Sequence, residues 1–218
     1  MITVEDLKKD ERVALLISRA RDVLVKLGYT EHGDRHMSRV SKDAGRIMRE
    51  LGYPERDAVL AEIAGYLHDI GSAINRVQHE QTGALLALFY LTEMGMSFRD
   101  ALDVATAIGN HHEETGEPVT EITAAVVLAD KADVHRSRVL SYDIENDIHD
   151  RVNFAATESL IEVDPAARVI SYRIEIDTEI SPVMEYFEIF TPRIHIAQKA
   201  AKTLLASFQV WINNTRML

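Results

Sequence analysis

The chain has 218 residues, 46% of them hydrophobic, and is therefore long enough to bury a substantial core as one large domain or a domain with an appendage. Its formal net charge of -11 argues against a nucleic-acid backbone as the main partner, because that binding depends on Lys and Arg. Cysteine is absent, which excludes disulfides, thiolate metal sites and a cysteine nucleophile, so any metal ligands must be His, Asp or Glu.

Apolar residues recur at helical spacing in six stretches before residue 150, and Gly or Pro separates most of these stretches. They predict six helices: Val4 to Leu27 with Thr3 as N-cap, about Asp34 to Leu51, Pro54 to a stop at Gly71, about Gln78 to Met94, a fifth that Ser97 caps and His112 closes, and a sixth from about Glu121.

The pattern changes in the last third of the chain. Apolar and polar residues alternate on both sides of a turn-like VDPAAR segment, which predicts a β-hairpin over about 151–177. A final long helix is predicted from Pro182 to Trp211. We therefore expect a mainly α fold: a helical metal-binding domain, 1–150, followed by a hairpin and helix, 151–218, that pack on it or form a homodimer contact. The aromatic residues Phe187, Phe190, Phe208 and Trp211 fit either arrangement.

Seven polar residues fall on the inward faces or at the ends of five consecutive predicted helices. A single histidine in such a place is usually a core residue satisfied by one hydrogen bond. Burying the whole set would cost several kcal/mol for each unpaired charge, whereas a shared metal site accounts for all seven together. The set consists of His36, His68, Asp69, His79, His111, His112 and Asp130.

The chemistry of these residues suits a metal. Imidazole with carboxylate binds Fe, Mn, Zn or Co, and a carboxylate such as Asp69 can bridge two ions. The paired histidines in GNHHEETGEP can direct two nitrogens at one ion from a helix end. Glu113 is expected to hydrogen-bond to a ligand, although an acidic residue in a loop is more often part of a solvated face.

Three segments resemble the HD superfamily of metal-dependent phosphohydrolases over about residues 29–140. They are His36 in HMSRV, His68 and Asp69 in AGYLHDIG, and Asp130 in LADKAD. The resemblance implies an HD-domain helical bundle in which these four residues hold a first metal ion.

Further histidines resemble those of the HD-GYP branch, whose members hold two or three metals and hydrolyse cyclic dinucleotides. These are His79 in HEQTG and the pair in NHHEE, and His32 stands where some members carry another metal ligand. The chain departs from that branch in two places, because ETGEPVTE replaces the GYP segment and Ser72 replaces the lysine of HDIGK. Both departures count against a cyclic dinucleotide substrate.

The resemblance implies that Asp69 bridges to a second ion held by His79, His111 and His112, with His68 and Asp69 as catalytic residues. Two divalent ions are expected, Fe or Mn first and Zn, Co, Ni or Mg as alternatives. A metal-activated hydroxide would attack the phosphorus of a phosphomonoester or phosphodiester, either a nucleotide or another small molecule. Nearby cations would bind its phosphate or form a solvated helix end, and Asp133 would support a ligand or pair with an arginine. The cations are Lys131, Arg136 and Arg138.

Two other functions remain open. A mixed-valent diiron oxygenase of the myo-inositol oxygenase type uses nearly the same ligand order, although it needs only one histidine where this chain has two. A regulatory HD domain without catalysis is the third reading. Because no signal-peptide layout and no apolar run of ~20 residues is present, we expect a cytoplasmic protein that binds neither a membrane nor a nucleic-acid polymer.

Overall fold

The computed structural model describes residues 2–140 and 145–218. Within these stretches the chain is mainly helical, as expected, and none of the helices is long and apolar enough to cross a bilayer. The helices are α1 Val4–Lys9, α2 Glu11–Lys26, α3 Asp34–Glu50, α4 Glu55–Leu67, α5 His79–Glu93, α6 Phe98–Gly109, α7 Glu121–Lys131, α8 Ile148–Ala155 and α9 Val183–Thr203. The strands are β1 Ala156–Asp164, β2 Val169–Ile176, β3 Ser207–Ile212 and β4 Thr215–Arg216.

The first predicted helix is two helices. Asp10 ends α1 and caps α2, where its side chain accepts a hydrogen bond from the backbone N–H of Arg12 at 2.8 Å. Aspartate is a poor interior helix residue and a good N-cap, because its carboxylate satisfies free backbone donors. Thr3 caps α1 as expected and forms a capping box with Asp6.

Helix α7 lies at the centre of the bundle. It packs against α3, α4, α6 and α9, and every residue from Ile122 to Lys131 is buried. The hydroxyl of Tyr172 in β2 donates to the carbonyl oxygen of Leu128 at 2.7 Å, which fixes the sheet to this helix. The surrounding elements therefore hold the polar residues at the end of α7 in the interior.

The C-terminal part differs from the prediction. Helix α8 takes up the start of the expected hairpin, and α9 ends at Thr203 instead of Trp211. Leu205 adopts a left-handed φ of 54°, and the following SFQVWI segment forms β3, which pairs in parallel with β2. The sheet therefore has four strands in the order β1-β2-β3-β4. The helix prediction to Trp211 was wrong because β-prone residues here pair with a buried strand.

Residues 151–218 share the core of the helical part. Phe190 and Val210 belong to the same buried apolar cluster as the helices, and Phe187 and Phe208 pack against it. Trp211 lies under the guanidinium of Arg173, 4.7 Å from the ring centroid. Three of the four aromatic residues thus contribute to packing within the chain.

A close backbone contact joins two parts of the chain that carry histidines. The turn after Asp69 is a short 3-10 helix, Ile70–Ala73. A Cβ at Gly71 would overlap the carbonyl oxygen of His79 and lie 2.5 Å from the backbone nitrogen of Gly83. Only glycine lets this turn lie directly on the first turns of α5.

We expect Gly71→Ala to lower the free energy of unfolding by ~2 kcal/mol or more, because the two backbones must separate. Urea denaturation followed by circular dichroism measures this. Gly109→Ala is the matched control, since a Cβ there would meet its nearest neighbour at 3.6 Å. The control should stay within ~0.5 kcal/mol of the parent. Equal stability of the two variants would contradict the close contact at Gly71.

Candidate metal centre

Five separate segments bring six of the expected ligands together in the interior. His36 lies in α3, His68 and Asp69 follow α4, His79 begins α5, His111 follows α6, and Asp130 lies in the last turn of α7. All six are buried, the most exposed being Asp130 at 7%. The helices before the two histidine segments each end about three residues earlier than predicted, at Leu67 and Gly109, so His68 and His111 stand just after helix ends.

The first group of ligand atoms has the spacing of a shared ion. The Nε2 atoms of His36 and His68 lie 3.2 Å apart, and Oδ1 of Asp130 lies 3.4 and 3.7 Å from them. Oδ2 of Asp69 is 3.3 Å from His68 Nε2. Adjacent ligand atoms that each lie ~2.1 Å from one ion stand roughly 3–3.5 Å from each other. The His68–Asp130 and His36–Asp69 contacts, at 3.7 and 3.9 Å, are slightly wider, so the four residues come close to one coordination sphere.

The second group gathers around the other oxygen of Asp69. Oδ1 lies 3.0 Å from Nε2 of His79 and 3.8 Å from Nε2 of His111. The two imidazole nitrogens are 3.3 Å apart. The two oxygens of Asp69 therefore face two different sets of nitrogens, as the oxygens of a bridging carboxylate do.

Each of the four histidines is oriented by its other ring nitrogen. Oxygens of carbonyl groups and of an ionised carboxylate only accept, so the proton lies on Nδ1 and the lone pair of Nε2 faces the cluster. Such partners fix the ring orientation of metal-binding histidines. The Nδ1 partners are Asp133 Oδ2 for His36 at 2.7 Å, Gly65 O for His68 at 2.8 Å, Arg76 O for His79 at 3.1 Å and Ile108 O for His111 at 2.7 Å.

The charges keep the carboxylates of Asp69 and Asp130 ionised, whereas Asp69 raises the pKa of His68 against the effect of burial, so a metal ion would displace a proton from that ring. Burial alone would raise the pKa of Asp69, but the charge and hydrogen bond of His68 outweigh it and hold the pKa well below its usual range. Lys131 and His36 do the same for Asp130. Burial lowers the pKa of His111, so that ring is neutral. Ionised carboxylates and a neutral imidazole are the forms that bind metal.

His32 and Arg138 have partners other than the expected ones. Nε2 of His32 lies 2.9 Å from Nη2 of Arg138 and accepts its hydrogen bond, while Nδ1 contacts the carbonyl of Thr30. Arg138 therefore occupies the lone pair that a metal would need, and two further interior acceptors hold that guanidinium in place. Arg76 makes a similar contact to Nε2 of His79, but from a partly exposed side chain at the cleft. The guanidinium of Arg138 is itself buried at the edge of the cleft and also donates to the carbonyl oxygen of Asp133 at 2.6 Å, so its nitrogens are directed to interior acceptors.

Lys131 is likewise an interior residue. Its Nζ lies 2.6 Å from Oδ2 of Asp130 and 2.6 Å from Oε2 of Glu113. Lys131 and Glu113 thus hold the carboxylate of Asp130 from the side opposite to the histidines. His112 stands farther out, half-buried, with its ring 5.3 Å from that of His79. Arg136 is exposed and stacks on Phe154 at 5.4 Å.

Asp133 is fully buried beside the first group. Besides His36 it contacts Nη2 of Arg35 at 2.7 Å and Nη1 of Arg39 at 3.0 Å. The two arginines were missed from the sequence, although they flank His36 on α3 at i-1 and i+3. Their positive charges let the buried carboxylate stay ionised while it orients His36.

A cleft of about 660 Å³ opens beside the second group. His79 and His112 line it, as do Arg76 and the more distant Arg193. Nη1 of Arg76 lies 3.1 Å from His79 Nε2 and 3.4 Å from Asp69 Oδ1, and its guanidinium lies over the ring of Tyr29. Its place between Asp69 and His79 in the chain was the signal that could have identified it.

The fold and these converging ligands define a helical protein with a candidate metal centre. Residues 33–136 match the HD domain family model, so this part of the chain is an HD domain, as the motifs implied. A predicted HD superfamily hydrolase from an uncultured Thermotogales bacterium aligns with a TM-score of 0.45 and 23% identity, over 62% of this chain and 75% of that one.

The chain is also similar to proteins named Ribonuclease Y. It is 31% identical over 169 residues to that of Listeria welshimeri, which covers 75% of this chain and 30% of the relative. It is 32% identical over 125 residues to the Ribonuclease Y of Aster yellows witches'-broom phytoplasma, which covers 56% of this chain and 21% of that relative. The chain thus spans less than a third of the length of these relatives.

We expect Asp133→Asn to weaken Mn²⁺ binding by ~10–100-fold, because the amide no longer holds the Nδ1 proton of His36 as an ionised carboxylate does. Isothermal titration calorimetry measures the affinity, and the melting temperature reports any loss of folding. Asp43→Asn is the matched control, since Asp43 also pairs with Arg39, at 3.7 Å, in the same helix. Unchanged Mn²⁺ affinity in a folded Asp133→Asn protein would contradict the orienting role.

Proposed function

We propose that the protein is a metal-dependent phosphohydrolase with two divalent ions, Fe or Mn, that cleaves a small phosphomonoester or phosphodiester. The observation that carries this proposal is the position of Asp69, whose two oxygens face two separate groups of histidine nitrogens at 3.3 and 3.0 Å. A mononuclear site would use only one of these groups. His79 of the second group lines the cleft, which gives a substrate access to the centre from that side.

In this proposal His36, His68, Asp69 and Asp130 hold one ion, and Asp69, His79 and His111 hold the other. When bound, two such ions supply a nucleophilic hydroxide near neutral pH and Lewis acidity for in-line displacement at phosphorus. The protein orients the imidazoles through their Nδ1 partners and keeps the carboxylates ionised. His112, at the wall of the cleft, is close enough to the second group to bind substrate or to complete that group.

Arg76 is the proposed phosphate-binding residue at the mouth of the centre. Among the described residues, neither Nε nor Nη2 of its guanidinium has a hydrogen-bond partner, and the side chain is 20% exposed. Within the part of the chain that the structure describes, its one carboxylate contact is Asp69, which the proposal assigns to the ions. If Asp69 were engaged by metal, this guanidinium would be left to hold two phosphate oxygens with two parallel hydrogen bonds.

We expect Arg76→Gln to lower kcat/KM for a phosphate ester by ~10–100-fold while the metal content stays at the parent value, because a charge-assisted hydrogen bond to the substrate is lost. Steady-state kinetics and elemental analysis measure the two quantities. Arg99→Gln, at an exposed position of α6, is the control for a lost positive charge. A proportional fall in metal content would instead make Arg76 part of the metal-binding structure.

The number of ions is tested by elemental analysis of protein purified anaerobically without an affinity metal column. We expect about two equivalents per chain in the parent, about one in His79→Ala, and less than one in Asp69→Ala, because the bridging residue serves both ions. Removal of the ions by a chelator should abolish hydrolysis, and Mn²⁺ or Fe²⁺ should restore it. One equivalent in the parent and in His79→Ala alike would rule out the dinuclear centre.

RNA is a second candidate substrate, which the similarity to proteins named Ribonuclease Y favours. The charge of -11 and a cleft of about 660 Å³ favour a nucleotide-sized ester instead. A panel of nucleotides, bis-p-nitrophenyl phosphate and short end-labelled RNA separates the two. Hydrolysis of RNA alone would replace the small-molecule proposal, and oxygen uptake without phosphate release would replace hydrolysis with diiron oxygenase chemistry.

A further inference from the structure

A second guanidinium lines the same cleft from outside the HD domain. Arg193 lies in α9, and its side chain is 22% exposed. It stacks on Phe190, with the guanidinium carbon 4.7 Å from the ring centroid. Its nearest carboxylate is Glu113, whose Oε1 lies 3.5 Å from Nε.

The terminal nitrogens of Arg193 are available to a ligand. Within residues 2–140 and 145–218, neither Nη1 nor Nη2 has a hydrogen-bond partner. Glu113 gives its shorter contact, 2.6 Å, to Lys131 and only the longer one to Arg193. The ion pair therefore leaves the edge of the guanidinium that carries Nη1 and Nη2 available for two parallel hydrogen bonds.

Arg138 shows what a purely structural arginine looks like in this protein. All three of its nitrogens donate to interior acceptors: Nε to Glu31 O at 3.1 Å, Nη1 to Asp133 O at 2.6 Å and Nη2 to His32 Nε2 at 2.9 Å. Arg193 has a stacked ring on one side and one long contact at Nε, and its two terminal nitrogens have no acceptor among the described residues. A guanidinium held in this way beside a cleft is typical of a recognition group for planar or tetrahedral anions.

The surroundings of Arg193 suit a ligand larger than phosphate alone. His149 and Asn153 of α8 line the cleft together with Ile189 and Phe190 of α9. The cleft volume, about 660 Å³, is in the range of sites for ligands of nucleotide size. Asp147 and Asp150 also line this part of the cleft, and Arg193 is the positive charge that a molecule reaching from the metal centre to these helices meets there.

We propose that Arg193 forms a second anion subsite, so that the preferred substrate carries at least two phosphate groups, one at the metal centre and one at the guanidinium of α9. This inference rests on the proposed function for the position of the first phosphate. It assigns to the C-terminal helix the selection of the substrate, and it names the substrate class as polyphosphorylated small molecules such as nucleoside polyphosphates.

The test is a binding measurement that does not depend on turnover. Mn²⁺-loaded protein is titrated by isothermal titration calorimetry with inorganic phosphate, pyrophosphate and tripolyphosphate. With one phosphate at the metal centre, the longer anions reach progressively farther towards Arg193. We expect at least one of the longer anions to bind ~10-fold or more tightly than phosphate, as a charge-assisted bidentate contact provides. In Arg193→Gln this gain should disappear, while the affinity for phosphate stays within about twofold.

Lys202→Gln is the matched control, because Lys202 is an exposed cation of the same helix and does not line the cleft. It should retain the full preference. Arg193→Lys keeps the charge without the planar fork and should retain part of the gain, and it replaces the Gln variant if that protein does not fold. Melting temperatures identify such a failure.

Equal affinities for the three anions in the parent, or an undiminished preference in folded Arg193→Gln, would overturn the inference. Phosphate release is measured separately with the same proteins. A preference that depends on Arg193 in a protein that hydrolyses no phosphate ester supports the subsite and refutes the proposed reaction. If the protein hydrolyses a phosphate ester and its preference for the longer anions is the same in Arg193→Gln, the reaction is supported and the subsite is refuted.

Discussion

The structure depends on keeping three buried carboxylates ionised at the centre of a helical bundle. An isolated carboxylate in such a place costs several kcal/mol, so each needs partners that stay fixed. Asp69 has imidazoles on both of its oxygens, and Asp130 lies between Lys131 on one side and His36 on the other. Four cationic or donor groups surround Asp133: His36, Arg35, Arg39 and Arg138. Removing one of these partners takes away part of the compensation for a buried charge.

This requirement ties the C-terminal sheet to the candidate centre. Arg39, which contacts Asp133, also donates to the carbonyl oxygen of Ser159 in the edge strand β1. The Ser159 hydroxyl donates in turn to the carbonyl oxygen of Ala132 at the end of α7. One arginine thus covers an open strand edge and neutralises the carboxylate that orients His36. The sheet supports the geometry of the site although it provides none of the candidate ligands.

The spacing of apolar residues in the sequence predicted both most of the helices and the polar residues that meet at the candidate centre. Apolar residues at helical spacing define buried faces, and a polar residue on such a face needs a partner. His36, His68 and Asp130 therefore stood out before any contact was known. The end of α9 was mispredicted because the short SFQVWI segment is compatible with both a helix and a strand. Its pairing with β2 determines that it forms a strand.

Long-range contacts explain the residues whose roles the sequence did not give. His32 lies one turn before His36, and the pattern alone cannot show that its Nε2 accepts from Arg138, which is 106 positions away. Arg76 lies in a short connection without periodicity, and Arg193 lies in a helix of mixed pattern. Each becomes notable only when the fold brings it to a cleft that other segments line.

The charges at the cleft form a connected series from the C-terminal helix to the candidate centre. Arg193 contacts Glu113, Glu113 contacts Lys131, and Lys131 contacts the carboxylate of Asp130. The residues that would hold metal lie in the HD domain, whereas the cation at the far end of the series lies in α9, outside it. Because the series ends at a candidate ligand, changes in α9 would act on the anion directly through Arg193 and on the ligand geometry through Glu113 and Lys131.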